Sequence, residues 1–201
     1  MKISNIEQLR NLYDLPIGRA KTKVQSKLEK HSINFIKSSP FIVVSTFNKS
    51  GYLDTSPRGG KTGFVEITNN TEIIIPDAKG NNRLDSISNI IDTGRIGLLF
   101  MIPGINETLR INGSAHLSVN QKHLDLFKSE NNKPKSCIVV SIEEVFLHCA
   151  KAFMRSKLWE PSFYMDQDLF PTMGQMLKDQ LGSEEPPETR EAMEERYKSD
   201  L

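Results

Sequence analysis

The sequence predicts a mainly β protein with flanking helices, an α+β chain whose antiparallel strands close or nearly close into a barrel. Short β-rich runs separated by hairpin or turn residues occupy the middle of the chain, from which about six strands are expected. Helical periodicity is confined to the two ends of the sequence. A barrel is favoured because closure removes exposed strand edges, which otherwise pair with other chains.

The first segment, residues 1–38, is predicted to be helical and to pack on the barrel. Two apolar stripes with helical spacing support this interpretation. They consist of Ile6, Leu9, Leu12 and Tyr13 and, over residues 20–38, of Val24, Leu28, Phe35 and Ile36. Pro16 separates the stripes because proline ends a helix.

Residues 39–160 are predicted to form the barrel domain. The β-rich runs are residues 41–47, 52–56, 64–67, 71–75, 95–102, 107–119 and 137–142. Short helices are expected over residues 82–91 and 121–129, and residues 145–153 form an apolar element of undetermined type. Because short turns join most of the β-rich runs, neighbouring strands should be antiparallel.

The last segment, residues 161–201, is predicted to be a helical extension followed by a charged tail. The apolar residues with helical spacing in the extension are Leu169, Met173, Met176 and Leu177, with Pro171 interrupting them. Residues 183–201 are rich in charge and poor in apolar side chains. They are therefore expected to form a tail or one solvated helix and not part of the core.

Composition excludes several classes of protein. The net charge is +1, with 25% charged and 37% hydrophobic residues, which gives no global attraction to nucleic acid or to an anionic membrane. The sequence shows no apolar run of the kind that forms a signal peptide or spans a bilayer. Cys137 and Cys149 lack the spacing of a metal or redox pair. A cytoplasmic protein with reduced thiols and no metal site is expected.

The stretch over residues 73–88 predicts an anion-binding site. A buried strand ends at Pro76, and a helix is expected to begin with Asn81 or Asn82 as its N-cap. A strand that leads into a helix N-terminus leaves backbone N–H groups unpaired and pointing in one direction. Arg83 in the first helical turn is unfavourable for the helix dipole unless an external anion, such as a phosphate, binds there.

The same stretch has a second interpretation. Asn82 could serve only as the cap of a short surface helix, with Asp85 three residues later completing an arrangement like a capping box. The local pattern alone does not choose between this cap and an anion site.

Two further clusters are candidates for chemistry. Residues 56–60 end a strand with Gly59 and Gly60, which allow a ligand to approach the backbone. Residues 148–159 combine three cations with the single tryptophan, Trp159. This second cluster suits a basic surface helix with Trp159 packed on the core, a nucleic-acid surface, or a site for a planar phosphorylated ring. The near-neutral net charge disfavours nucleic acid.

Side-chain catalysis is not indicated by any motif. His116, His123 and His148 lack the spacing of a zinc pair, and no serine lies in a nucleophile-elbow motif. Neither GxGxxG nor GxxxxGK[ST] occurs. The chemistry is therefore expected to come from a bound cofactor.

Five short sequence motifs, in order along residues 20–165, resemble those of the pyridoxamine 5'-phosphate oxidase-related flavoproteins, the FMN-binding split-barrel family. The motifs are Asp54–Gly59, Pro76–Asp77 with Gly80–Ser86, Gly97–Phe100 with Pro103–Gly104, Glu107–Gly113, and His148–Ala152 through Arg155–Trp159. The resemblance is strongest to an uncharacterised bacterial subgroup of that family.

The resemblance implies a homodimeric FMN-binding split β-barrel with two FMN sites at the subunit interface. The implied cofactor-binding residues are Ser56, Pro57, Arg58, Gly59, Ile75, Pro76, Asp77, Asn81, Asn82, Arg83, Thr108, Arg110, Lys151, Arg155, Lys157 and Trp159. The strand end around Pro57 would lie along the isoalloxazine ring, and Asn81 to Arg83 would hold the phosphate. Lys151 to Trp159 would reach the flavin from the other subunit.

Two positions depart from the pattern of the family. Gly60 stands where close relatives often carry an acidic residue, and Ala78 stands where they often carry a basic one. The C-terminal motifs typical of true pyridoxamine phosphate oxidases are not recognisable. The vitamin B6 reaction of those enzymes is therefore not expected.

The resemblance implies an FMN-dependent oxidoreductase of unknown substrate, with Arg58 as the first candidate for tuning the flavin. The alternative is a non-enzymatic module that holds flavin, or another planar ligand such as haem, for sensing or storage. Turnover of a reduced nicotinamide would favour the enzyme, and tight flavin retention without reduction would favour the module.

Overall fold

The computed structural model describes residues 2–200 and contains one antiparallel sheet. Its strands are β1 (Phe41–Phe47), β2 (Leu53–Gly59), β3 (Glu66–Asn69), β4 (Glu72–Pro76), β5 (Arg95–Met101), β6 (Thr108–Ser118) and β7 (Cys137–His148). The strand order is β2-β1-β5-β6-β7-β4-β3, and all neighbours are antiparallel. The predicted fold class is confirmed, with seven strands in place of about six.

The sheet is curled but not closed by hydrogen bonds. In the described residues, the edge strands β2 and β3 each pair with a single neighbour. Val44 of β1 and Ile73 of β4 nevertheless belong to the same buried core, so the two ends of the sheet bend toward each other. The result is a barrel with one open seam between β2 and β3.

Strand β4 is buried on both faces, as its run of isoleucines predicts. Ile73 and Ile75 lie in the main core, whereas Ile74 packs with Phe127 and Val139 in a second cluster. All three isoleucines are fully buried. Because each contributes about 1.5–3 kcal/mol relative to an exposed position, this strand fixes where the chain leaves the barrel after Pro76.

Strand β7 is longer than the sequence indicates and continues through the region that the sequence left undetermined. It pairs with β6 along its full length, with a register shift between Asn112 and Gly113. At this bulge the two backbones come very close, because a Cβ built on Gly113 would stand 2.1 Å from the carbonyl oxygen of Ser141. Glycine is therefore required at position 113.

The N-terminal segment contributes more β pairing and less helix than the sequence predicts. Helices α1 (Ile6–Arg10), α2 (Arg19–Thr22) and α3 (Lys30–Ser38) are short, and the predicted helix over residues 20–38 is interrupted. Gln25 instead pairs with Val145 of β7, through backbone bonds of 3.0 and 2.8 Å. The helix is interrupted because Gln25 is extended, and its backbone N–H and C=O groups are paired with those of Val145.

The two predicted apolar stripes have different outcomes. Leu28, Phe35 and Ile36 of the second stripe are buried in the main core. The prediction that the first stripe packs on the barrel is wrong, because α1 contains no buried residue and Ile6 is 70% exposed. A helix this short offers too little apolar area to hold it on the sheet.

The remaining helices are α4 (Asp85–Thr93), α5 (Gln121–Leu124), α6 (Lys151–Ser156), α7 (Met173–Leu181) and α8 (Arg190–Lys198). Helix α8 has no buried residue, so the charged end of the sequence forms the solvated helix that was one of its two interpretations. Across residues 2–200, every helix is too short or too polar to cross a membrane.

Replacement of Gly113 by alanine is expected to lower the free energy of unfolding by about 2–3 kcal/mol, because the new Cβ would clash with the β7 backbone. Urea-induced unfolding measures this difference. Gly59→Ala is the control, since its Cβ would meet its nearest atom at 3.6 Å and is expected to cost less than about 1 kcal/mol. Equal losses in the two variants would contradict the close approach at the bulge.

The two cysteines should differ in reactivity. Burial raises the pKa of Cys137 to about 11, whereas Cys149 is exposed. Because the thiolate is the reactive form, the native protein at pH 8 is expected to consume one equivalent of a thiol reagent and the unfolded protein two. Cys149→Ser should abolish the native reaction. A fast native reaction of both thiols would refute this assignment.

Candidate functional site

The open seam leads into a groove of about 1310 Å³. Its three walls are residues 57–64 at the end of β2, residues 76–84 at the end of β4, and residues 126–135 apart from Lys128. Polar and apolar side chains both line it. A groove of this size can hold a cofactor-sized molecule.

The groove is more basic than the chain as a whole. Its charged lining residues are Arg58, Lys61, Lys79, Arg83, Lys133 and Lys135 against Glu66, Asp77, Glu130 and Asp200. The ion pairs in and beside it are Lys61–Glu130 at 3.1 Å, Lys79–Asp200 at 2.5 Å, and Arg83–Asp85. Within residues 2–200, Arg58, Lys133 and Lys135 form no ion pair, so their charges can act on an anionic ligand.

The predicted cap of the helix after β4 is wrong. Helix α4 begins at Asp85, and its N-cap residue is Leu84, which makes no side-chain capping bond. The side-chain oxygen of Asn81 instead accepts a hydrogen bond from the amide of Arg83 at 3.1 Å. Arg83 therefore precedes the helix and pairs with Asp85. The hydrogen bond to Asp85 is the main cause that raises the pKa of Arg83 above its usual value.

The loop before α4 provides backbone donors. Among the residues that the structure describes, the amides of residues 78–82 have no protein acceptor. Asn82 and Leu84 adopt left-handed backbone conformations, with φ of 61° and 58°, which are uncommon outside glycine and cluster at functional sites. Unpaired amides together with the ammonium group of Lys79 form a site suited to a phosphate or carboxylate.

A hydrogen-bond network fixes Arg58 at the edge of the groove. Its Nη2 donates to Ser86 Oγ at 3.2 Å, and its Nη1 donates to the carbonyl of Pro57 at 2.8 Å. Ser86 is buried and donates to Asp54 at 2.6 Å, and Ser56 donates to both oxygens of the same carboxylate at 3.0 Å. The network joins β2 to α4 and holds the guanidinium in one place.

The two departures from the family pattern have local explanations. A Cβ on Gly60 would stand 2.8 Å from Cβ of Phe64, so the glycine makes room for this side chain. Gly60 also lines the groove, so its backbone borders the candidate site. Ala78 lines the groove next to Lys79, whose ammonium group supplies a cation one residue further along.

The segment after β7 lies outside the groove. Trp159 stacks on Phe153 with ring centroids 5.7 Å apart and donates to the carbonyl of Ile105 at 3.0 Å. The ammonium group of Lys157 lies 4.7 Å from the ring centre of Phe163. Helix α6 has no buried residue. In this structure the segment is therefore a basic surface patch.

Arg110 also lies away from the groove, on the outer face of the sheet. Its guanidinium lies 5.7 Å from the ring centre of Phe146. The strand register places a row of residues across this face, namely Pro57, Val43, Leu99, Arg110 and Phe146. The apolar members Val43, Leu99 and Phe146 are only partly buried.

The fold brings half of the sixteen predicted site residues into the groove. These are Pro57, Arg58, Gly59, Pro76, Asp77, Asn81, Asn82 and Arg83. Ser56 is turned toward Asp54, and the side chains of Ile75 and Thr108 are buried at 0% and 3% exposure, away from the groove lining. Arg110, Lys151, Arg155, Lys157 and Trp159 form the second group, outside the groove.

Sequence reasoning missed one wall of the groove altogether. Residues 126–135, with Lys133 and Lys135, lie opposite the loop after β4 because β7 pairs with β4, placing Cys137 beside Pro76. No local pattern specifies that pairing. Sequence reasoning also gave no role at the site to Ser86, which the structure places between Arg58 and Asp54.

Comparisons with known proteins agree with this fold. The family model named pyridoxamine 5'-phosphate oxidase matches residues 28–149, more than half of the 201-residue chain. HupZ of Group A Streptococcus gives a TM-score of 0.51 at 15% identity, over 60% of this chain and 98% of that chain. A Lactobacillus delbrueckii protein, described as a proposed pyridoxamine 5'-phosphate oxidase, gives 0.50 at 16% identity, over 62% and 99%. At these identities the structures show a shared fold alone. No curated protein sequence matches this chain.

The family match covers β1 to β7 and the two walls of the groove, residues 57–64 and 76–84, that contain predicted site residues. The chain belongs to the pyridoxamine 5'-phosphate oxidase family.

Proposed function

We propose that this protein binds FMN in the groove and is an FMN-dependent oxidoreductase related to pyridoxamine 5'-phosphate oxidase. The observation that carries the proposal is the loop of residues 78–82, whose unpaired amides adjoin Lys79 in a basic groove. Family membership supports a flavin as the ligand. The substrate is not specified by any contact in the groove.

The donors fit the phosphate end of FMN. Backbone amides, Lys79, Lys133 and Lys135 supply hydrogen bonds and positive charge from two walls. Arg83 is bound to Asp85, so its guanidinium reaches a phosphate only by exchanging that partner or sharing it. The amides and lysines are therefore assigned the main phosphate contacts.

The apolar lining fits the ring end. It includes Pro57, Phe64, Pro76, Leu84 and Ile87. A planar ring system needs such surfaces together with a few polar groups that orient it. The end of β2 supplies both, because Pro57 and Arg58 are adjacent there.

FMN, when bound, supplies hydride acceptance and electron transfer. The role of this chain is to bind and orient the ring, to keep water from it, and to set its electrostatic environment. Arg58 is the group proposed to act on the ring, since its fixed guanidinium stabilises negative charge that develops nearby.

The alternative of a haem-binding module is disfavoured by the lining. Haem iron is held by histidine, cysteine, methionine or tyrosine, and none of these residue types lines the described groove. A module that stores flavin without turnover would use the same contacts as the enzyme. Reduction of the bound flavin by a nicotinamide separates the two.

We also propose a homodimer, in which the segment Lys151–Trp159 of one protomer completes the groove of the other. The partly exposed apolar row through Val43 and Leu99 on the outer sheet face would supply the contact between protomers. A cytoplasmic location is proposed as well, because Cys137 and Cys149 are free thiols.

The purified protein is expected to show a structured flavin absorption band, either as isolated or after addition of FMN. Arg58→Ala should change the rate of flavin reduction by roughly tenfold or more, because a fixed positive charge is lost. Its free energy of unfolding should change by less than about 1 kcal/mol. Stopped-flow absorbance and urea unfolding measure the two effects.

Arg95→Ala is the control for this variant, since Arg95 pairs with Glu143 at 2.7 Å outside the groove. It should leave flavin reduction unchanged. A protein that stays colourless and does not respond to FMN would reject the cofactor proposal, and unchanged reduction in Arg58→Ala would reject the role of that residue.

Leu99→Glu is expected to convert the dimer into monomers, because it places a charge in the centre of the proposed contact. Sedimentation velocity measures the change in mass. Ile91→Glu on α4 is the matched control, being an exposed isoleucine changed to the same acid away from the outer sheet face. A wild-type monomer, or equal effects of the two changes, would contradict the proposed interface.

A further inference from the structure

Ser199 and Asp200, which follow α8, reach the candidate groove. Asp200 Oδ1 lies 2.5 Å from Nζ of Lys79, and the carbonyl of Ser199 accepts a hydrogen bond from Asn132 at 3.3 Å. Lys79 and Asn132 belong to different walls of the groove. Ser199 and Asp200 therefore bridge two walls beside the loop of residues 78–82.

Asp200 presents the same kind of group as the proposed ligand. A carboxylate and a phosphate are both oxyanions that accept hydrogen bonds from the same cationic donor. The hydrogen bond from Lys79 lowers the pKa of Asp200, so the carboxylate is ionised at neutral pH. A phosphate bound to the amides of residues 78–82 would compete with Asp200 for Lys79.

The segment around Asp200 is supported by the C-terminal extension and not by the barrel core. Arg196 donates two hydrogen bonds to Glu188, at 3.0 and 2.8 Å, and the side chain of Thr189 caps α8. No residue of α8 is buried. Its attachment at the groove therefore rests on a few exposed polar contacts, which can break without unfolding the helix.

We propose that residues 190–200, the tail segment, are an intramolecular competitor for the anion-binding loop, with Asp200 leaving Lys79 when a phosphorylated ligand binds. The identity of that ligand as FMN rests on the function proposed above. Apparent affinity is lowered by the fraction of molecules in which the loop is covered. An ion pair whose side chains are 61% and 32% exposed should favour the covered state by about two- to fivefold.

Asp200→Asn is therefore expected to bind FMN about two- to fivefold more tightly than the natural sequence at low salt, measured by quenching of flavin fluorescence. Glu194→Gln is the matched control. It also removes one negative charge, but from α8. Glu194 neither lines the groove nor pairs with a cation in the described chain. Its affinity should equal that of the natural sequence.

A second measurement does not depend on flavin. A zero-length carbodiimide should cross-link Lys79 to Asp200, and inorganic phosphate should lower the yield of that product. The pair Lys198–Glu195, at 2.5 Å and outside the groove, provides an internal reference whose yield should not respond. Mass spectrometry of the digested protein quantifies both products.

Tighter FMN binding by Asp200→Asn, with phosphate competing against the Lys79–Asp200 cross-link, supports the proposal. Equal or weaker binding by Asp200→Asn, or a cross-link that neither FMN nor phosphate reduces, overturns it. If neither the natural sequence nor the variant binds FMN, the flavin proposal fails. The phosphate competition then decides the competitor proposal by itself.

Discussion

The pairing of β6 with β7 holds the two parts of the sheet together. In the strand order it lies between β2, β1 and β5 on one side and β4 and β3 on the other, and it is the longest ladder among the described residues. The bulge at Gly113 changes the register within that ladder. Since bulges bend and twist a strand, the pairing also gives the sheet the curvature that brings its two edges near each other. The open seam and its groove follow from this geometry.

Local sequence patterns predict most of the strands but do not predict the groove. The β-rich run of β1 and the apolar run of β4 were sufficient to identify them. The second half of β7 was not identified, because its pattern beyond Ile142 reflects pairing with distant residues on both sides. The loop over residues 126–135 was missed for the same reason. Contacts of this kind depend on topology, to which local periodicity is insensitive.

The loop of residues 78–82 offers donors to an anion, but by a different local arrangement from the one that the sequence predicts. Sequence reasoning expected donors from a helix N-terminus capped by Asn81 or Asn82, with Arg83 in the first turn. The structure instead has unpaired amides in the loop itself, and the left-handed conformation of Leu84 separates them from α4. Both arrangements offer N–H groups to an anion. Only the backbone conformation distinguishes them, and side-chain identity does not determine it for a leucine.

The N-terminal pairing at Gln25 has a consequence for solubility. Strand β4 pairs with β7 as far as Ser141, and the amide of Ile142 donates to the carbonyl of Thr71 at 2.8 Å, so this edge of β7 would be open only beyond Ile142. Gln25 occupies it through two backbone bonds, and Lys23 donates to the carbonyl of Leu147 at 2.9 Å. Unpaired strand edges recruit strands from other molecules. Lys23 and Gln25 thus protect this edge of β7 from pairing with other molecules.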